Sequence, residues 1–280
     1  MKKSLAIFLS FFLFLMLFSC QGGNKIAYNT INYGEYPQTI VSDTKLIEKL
    51  NELDSSSINS NGYYSYEGKE YAKVVANPYP TKEVYYSTNR LVRKGRTDYF
   101  LVEPIEWRIT KSNDATNLLL STMILDNTAY SLNNELSYKD SNLRLFLNND
   151  FYNLAFSKEN NKPIETKIDS FDNDGNTIYT NDKVSIPSTT ELLKDYGFLS
   201  NDDRYTFATD YARAKGADVY INDGPNSYFY NASLYPTRSY AEMEEKKGLY
   251  YVDFFGKLEF TDATNLYSCC SVRPSILISK

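Results

Sequence analysis

The run Tyr99-Phe100-Leu101-Val102-Glu103-Pro104-Ile105-Glu106-Trp107-Arg108-Ile109 constrains the fold more than any other stretch of the chain. Aromatic and branched residues of this kind suit a pleated, half-buried surface. The run also holds the only tryptophan. Pro104 cannot donate to a strand ladder, so the expected form is a central strand with a kink or bulge at the proline. Leu118-Leu119-Leu120-Ser121-Thr122-Met123-Ile124-Leu125 follows and reads as its buried partner strand.

The remaining patterns fit around that pair. Ile31 to Thr39 reads as a strand and turn, and Leu46, Ile47, Leu50 and Leu53 mark an amphipathic helix starting near Ser42 or Asp43. Tyr63 to Val74 predicts a β-hairpin turning at Glu67-Gly68. Residues 75–96 carry no period, and Arg90, Arg93, Lys94 and Arg96 read as a basic, solvated loop. Ser141 is placed to cap a helix through Leu143, Leu147, Phe151 and Leu154. Ser188-Thr189-Thr190-Glu191 is a capping box for a short second helix, and a third is expected over Thr206–Lys215, stopping at Gly216. Strands are expected over Ser227–Tyr240, in a hairpin from Leu249 turning near Gly256, and from Ser268 to Ile278. This order predicts one α+β domain built on antiparallel sheets with a few short helices.

The N-terminus has a different character. Lys2 and Lys3 precede Leu5–Phe18, where every residue but Ser10 is apolar, the length of a signal-peptide core and short for a membrane span. Leu17-Phe18-Ser19-Cys20 resembles the bacterial lipobox, whose cysteine becomes a lipid-bearing N-terminus after cleavage. Phe18 stands where the tightest form of that motif has a small residue. The expected organisation is a signal peptide at 1–19, a polar tether at 20–30 and the folded domain at 31–280. Lipidation at Cys20 would supply enough buried CH₂ groups for anchoring. The expected location is the bacterial cell envelope, outside the cytoplasm and held to the membrane.

Composition excludes more chemistry than it suggests. Lys2 and Lys3 are the only charges in residues 1–19, so their removal takes the net charge from −5 to −7. That acidity argues against nucleic acid as a partner. The chain contains no histidine, which removes the Ser-His-Asp and Cys-His mechanisms and every His-based zinc site. Beyond Cys20 only Cys269 and Cys270 remain. Adjacent on a strand, they point to opposite faces and do not share one metal; buried thiols and a vicinal disulfide are the two readings. No catalytic residue, metal or cofactor is expected.

Several motifs, taken together, resemble one family. They are Tyr33–Thr39, Tyr71–Val74, Tyr99–Ile109, Ile124-Leu125-Asp126, Ser141–Asn148, Phe151–Ser157, Asp182-Lys183-Val184, Thr237-Arg238-Ser239 and Val272-Arg273-Pro274-Ser275. In this order they look like the bacterial domain-of-unknown-function family numbered sixty-two seventy-three. Its closing Arg-Ser and Val-Arg-Pro segments are similar to the C-type-lectin-like fold used by the formylglycine-generating enzymes. That resemblance implies terminal strands that pair as neighbours and long loops between them. This chain departs from the family pattern at Leu234-Tyr235-Pro236 and at Cys269-Cys270.

The function expected on these grounds is a non-catalytic recognition domain for a glycan, peptidoglycan or surface protein. A structural or envelope-assembly lipoprotein with a protein partner is the alternative, and an oxidase akin to the formylglycine-generating enzymes a third. Trp107, Arg144, Tyr235, Arg238 and Arg273 are the candidate ligand-binding residues, with Arg108 among the motif arginines that could converge. Each arginine can hold a carboxylate bidentately, in a ligand or in a structural ion pair. Ser170–Asn176 is similar to a calcium loop, but Ser170 and Asn181 replace two of its carboxylates, which favours a polar turn. Glu103 and Glu106 form a carboxylate pair, but their spacing along a kinked strand does not aim both at one cleft.

Overall fold

The computed structural model describes residues 28–264 and 271–280. Cys20, the apolar run Leu5–Phe18, most of the 20–30 tether and Cys269-Cys270 lie outside the described residues.

The chain begins with β1 (Thr30–Ile40), β2 (Tyr64–Tyr66), β3 (Lys69–Val75), β4 (Thr97–Ser112) and β5 (Thr116–Ser121). β4 contains the tryptophan run and is the axis of the molecule. Phe100 pairs with Ile40 of β1 on one side and Ala72 of β3 on the other. Further along, Trp107 pairs with Ile31 of β1 and Ser121 of β5. One edge of β4 is therefore occupied by β1, and the other is shared end to end by β3 and β5. The irregularity expected at Pro104 lies across the ladder from it: Pro104 pairs with Glu35, and β1 slips register between Asn32 and Glu35. Gly34 accommodates the slip with φ +69°. It is also pressed against the chain behind it, since a Cβ there would stand 2.6 Å from the Ala155 carbonyl oxygen. Only glycine meets both conditions at no steric cost.

The later strands are β6 (Asp126–Asn127), β7 (Thr166–Phe171), β8 (Thr177–Asp182), β9 (Val184–Ser185), β10 (Thr206–Phe207) and β11 (Ala232–Ser233). They are followed by β12 (Tyr235–Met243), β13 (Lys246–Val252), β14 (Leu258–Asp262), β15 (Ser271–Val272) and β16 (Ser275–Ser279). β16 inserts between β5 and β9, completing a seven-stranded sheet in the order β2-β3-β4-β5-β16-β9 with β1 on β4. β12, β13 and β14 form a second sheet. Both are antiparallel, and the fold is α+β. The expectation that the terminal strands pair as neighbours is not met: they share the main sheet, but β1 lies on β4 and β16 on β5 and β9.

The main sheet is buried on both faces. Successive strand residues alternate between them. Leu119 faces a cluster with Trp107, Phe151 and Phe156, while Leu120 faces one with Phe100, Tyr196 and Tyr235. The helices α1 (Thr44–Glu52), α2 (Asn142–Phe146), α3 (Tyr152–Ala155) and α4 (Asp210–Ala214) are short. A π-type turn over Leu147–Phe151 joins α2 to α3 and keeps Leu143, Leu147, Phe151 and Ala155 all in the first cluster.

Local expectations hold where a side chain decides the backbone. Asp43 caps α1, accepting from the N–H groups of Lys45 and Leu46. Glu67 and Gly68 both take positive φ, as a two-residue hairpin of this hand requires. Ser188 and Glu191 exchange the two bonds of a capping box, at 3.2 and 2.7 Å. Four further expectations need correction. The strand expected over Ser227–Tyr240 is two strands, β11 and β12, preceded by a turn over residues 227–231. The helix expected over Thr206–Lys215 is only Asp210–Ala214, because Thr206 and Phe207 pair with Ser233 and Ala232 as β10. The strand expected through Leu125 ends at Ser121, and the chain then turns so that Ile124 bridges Ala208. Residues 75–96 are irregular as read, but Arg90 and Arg96 are not merely solvated: both pair with buried Asp98. Ser170–Asn176 is the β7–β8 turn, with Asp172 accepting from the N–H groups of Asp174 and Asn176.

Candidate functional site

Strand alternation separates Trp107 from Arg108. Trp107 is fully buried in the first cluster and donates its indole N–H to the Tyr33 carbonyl at 2.7 Å. Its neighbour projects from the opposite face of the sheet. There the register of three strands brings Arg108 to Arg273. Arg108 pairs with Leu120, and the adjoining Ser121 N–H donates to the Pro274 carbonyl at 3.0 Å. Only β5 stands between the two arginines.

Both guanidinium groups are buried, Arg108 at 5% and Arg273 at 4% exposure. Arg273 is held by neutral oxygens: its Nε donates to the Ser121 carbonyl, and its Nη1 to the Arg204 carbonyl and the Tyr235 hydroxyl. Arg108 packs between the rings of Tyr28 and Phe198, with its guanidinium carbon 4.1 Å from the Phe198 centroid. It makes one long bond, Nη2 to the Tyr196 carbonyl at 3.4 Å, and its Nε has no partner. Among the described residues no carboxylate lies within 4 Å of either group. Burial pushes Arg108 down to about 9, and the like charge of Arg273 acts in the same direction.

The two arginines both line a pocket of about 200 Å³. Tyr28, Tyr205 and Phe207 wall it, and exposed Asp202 and half-buried Asp203 stand at its edge. Thr206 secures this wall by donating its hydroxyl to the Thr122 carbonyl at 2.6 Å. Asp203 accepts from the Tyr28 hydroxyl and from the N–H groups of Leu199 and Ser200. The aromatic wall continues along the surface. The Tyr205 ring lies 5.4 Å from Phe229, Phe229 lies 4.9 Å from Phe255, and Phe255 lies 5.1 Å from Tyr220. Rings with a polar hydroxyl and an apolar face suit amphipathic ligands.

The model of a family described as "Domain of unknown function (DUF6273)" matches residues 114–280. The chain belongs to the DUF6273 family. No curated protein and no solved structure matches it. The DUF6273 match contains Arg273, Tyr205 and Phe207 of the pocket but not Tyr28 or Arg108. The family motifs from Ile124 onward fall inside it, while Tyr33–Thr39, Tyr71–Val74 and Tyr99–Ile109 precede it.

Of the five candidate ligand-binding residues in this DUF6273 chain, only Arg273 lines the pocket. Trp107 is a core residue. Tyr235 is buried, donating to the Arg204 carbonyl at 2.8 Å while accepting from Arg273. Arg144 ties α2 to Asp182 at 2.7 Å. Arg238 is 2% exposed and fully engaged, gripping both oxygens of Glu191 and the carbonyls of Asp169 and Ile186. The four motif arginines therefore divide two and two. Tyr28, Tyr205 and Phe207 carried no sequence signal as site residues. Arg108 did, because the residue beside a core tryptophan on a strand must face the other way. Glu103 and Glu106 serve β1, Glu103 accepting from the Thr39 N–H at 2.9 Å and Glu106 from the Thr30 hydroxyl. Among the described residues no group of His, Cys, Asp or Glu is arranged to hold a metal ion.

Proposed function

We propose that this protein is a non-catalytic recognition module, anchored by a lipid at Cys20 on the outer side of the bacterial cytoplasmic boundary. Its ligand is a saccharide of the cell envelope, free or within peptidoglycan. The pocket where two buried arginines meet an aromatic wall carries the reading. That combination offers orientation through charge-assisted hydrogen bonds and affinity through stacking, the two requirements of a small-ligand site. At about 200 Å³ it is smaller than the roughly 300–1,000 Å³ of pockets that enclose a drug-sized ligand. It therefore accepts an end group or single ring, with the row from Tyr205 to Tyr220 available to the rest of a chain. The C-type-lectin-like arrangement is part of the proposal. What supports it is the long connection between β5 and β16; the neighbour pairing of the terminal strands that it implies is not met, since β1 lies on β4 and β16 on β5 and β9.

A thermal-shift screen of the chain against glycans and peptidoglycan fragments tests the reading, because a ligand that binds only the folded state must raise the melting temperature. A shift lost on changing Tyr205 or Phe207 is the expected result. No shift across the panel would sink it. A protein partner is the second reading, favoured by a shallow hollow where Leu132 and Leu145 are 58% and 51% exposed beside Phe146.

A further inference from the structure

We propose that the pocket is a carboxylate subsite, in which Arg108 and Arg273 hold the acid group of a sugar acid while Tyr205 and Phe207 receive its ring. The proposal rests on the recognition reading above and names the ligand class.

The molecule's treatment of its other buried arginines supplies the first argument. Two of the three have carboxylates, Arg238 having Glu191 and Asp169 and Arg213 having Asp210 at 3.3 Å, while Arg204 has its donors met by the Gly256 carbonyl and the Asn201 side-chain oxygen. A guanidinium removed from water is costly unless its charge is paired or its donors are met by other oxygens. Arg108 and Arg273 are buried side by side with no carboxylate, so each also bears the other's repulsion. The Arg108 Nε is an orphaned donor on a side chain that lines the pocket. An anion entering there would complete its hydrogen bonding and offset both charges.

Two further observations choose a carboxylate over a more highly charged group. Arg273 has already committed its Nε and Nη1 to neighbouring oxygens, which leaves the pair few free donors. Asp202 and Asp203 at the edge repel a dianion more strongly than a monoanion. The ring-sized space and the aromatic row then favour a sugar acid over a peptide end group, because the C–H face of a pyranose stacks on Tyr and Phe.

Isothermal titration of the full chain with sodium glucuronate, glucose, glucose 6-phosphate and N-acetylalanine tests this. Glucuronate is expected to bind about tenfold or more tighter than glucose, the scale of a charge-assisted bond. It is also expected to outbind the phosphate and the amino-acid derivative. Arg108→Met, with an unchanged circular-dichroism spectrum, is expected to erase the preference for glucuronate over glucose, and Arg273→Lys to reduce it. Equal binding of glucose and glucuronate would overturn the carboxylate subsite while leaving saccharide recognition standing. Tighter binding of glucose 6-phosphate or of N-acetylalanine would overturn the choice of acid or of sugar. No binding by any of the four would overturn the subsite. If a neutral glycan still shifted the melting temperature in the screen, the recognition reading would survive that failure.

Discussion

Two arginine clusters lie on different parts of this sheet system, and they solve burial in opposite ways. Around Arg238, every charge is answered: Glu191 takes both Nη groups and at the same time caps its own short helix through the Ser188 N–H. The Arg238 N–H donates to the Pro187 carbonyl, because a bulge between Pro236 and Tyr240 releases it from the β13 ladder. Around Arg108 and Arg273 the acceptors are neutral and one donor is idle. The first cluster is a bolt that fastens β12 to the 186–191 segment. The second leaves a like-charged pair without a carboxylate, the cost that the proposed subsite would relieve. Burial is common to both clusters; what differs is whether a carboxylate answers the charge.

The contrast breaks first at Arg238. Arg238→Ala removes a buried guanidinium and leaves half-buried Glu191 without its partner, and is expected to lower stability by about 3 kcal/mol. Urea denaturation should show this as a lower midpoint at unchanged slope. The opposite sign is expected at the other cluster. Arg108→Met replaces an unpaired buried charge with an apolar chain of similar reach, and should raise stability by about 1–4 kcal/mol. A fall there would mean that Arg108 is as structural as Arg238.

A third test compares the wild type with Arg108→Met as pH rises. The Arg108 value is depressed to about 9, below that of the unfolded chain, so between these values the unfolded state binds more protons. This contribution to stability therefore increases with pH. Burial moves Tyr36, Tyr86 and Tyr130 upward, so their contribution is complete below pH ~10 and is lost as pH climbs through their folded values. The wild type should thus lose stability above pH ~10. The advantage of the Met variant should narrow from about pH 9 upward. A constant difference would contradict the depressed value. The smallest effect is expected at Ser188→Ala, about 1 kcal/mol for one helix cap. It should add to Arg238→Ala less than fully, since both changes act through Glu191.

Sequence patterns revealed the parts of this architecture that are decided locally. Asp43, Ser141 and Ser188 cap their helices because each needs only its own next three residues. Glu67-Gly68 and Gly256 turn because their backbone angles favour it. Tertiary pairing overrode local preference at Thr206-Phe207, whose helical neighbours did not prevent β10 from pairing with Ser233 and Ala232, 27 and 25 positions later. The pocket was less legible. Arg108 and Arg273 are named by the same motifs as Arg144 and Arg238, and apart from the tryptophan beside Arg108 nothing nearby in the chain distinguishes them. The distinction lies in whether a carboxylate such as Asp182 or Glu191 arrives from elsewhere in the fold. Tyr28 reaches the site only because β1 runs along β4 and carries it to Arg108.

The double occupancy of β4 bears on how this chain can be divided. The DUF6273 match starts at Asp114, inside the turn that Asn113 closes by accepting from the N–H groups of Ala115 and Thr116. A fragment cut there would carry β5 with one bare edge, and its complement would carry β4 with the matching one. Open edges of this kind recruit other strands. Such halves behave as a lock and key: each is prone to aggregate alone, and the two together are suited to reassemble as a split protein whose reconstitution rebuilds the arginine pair.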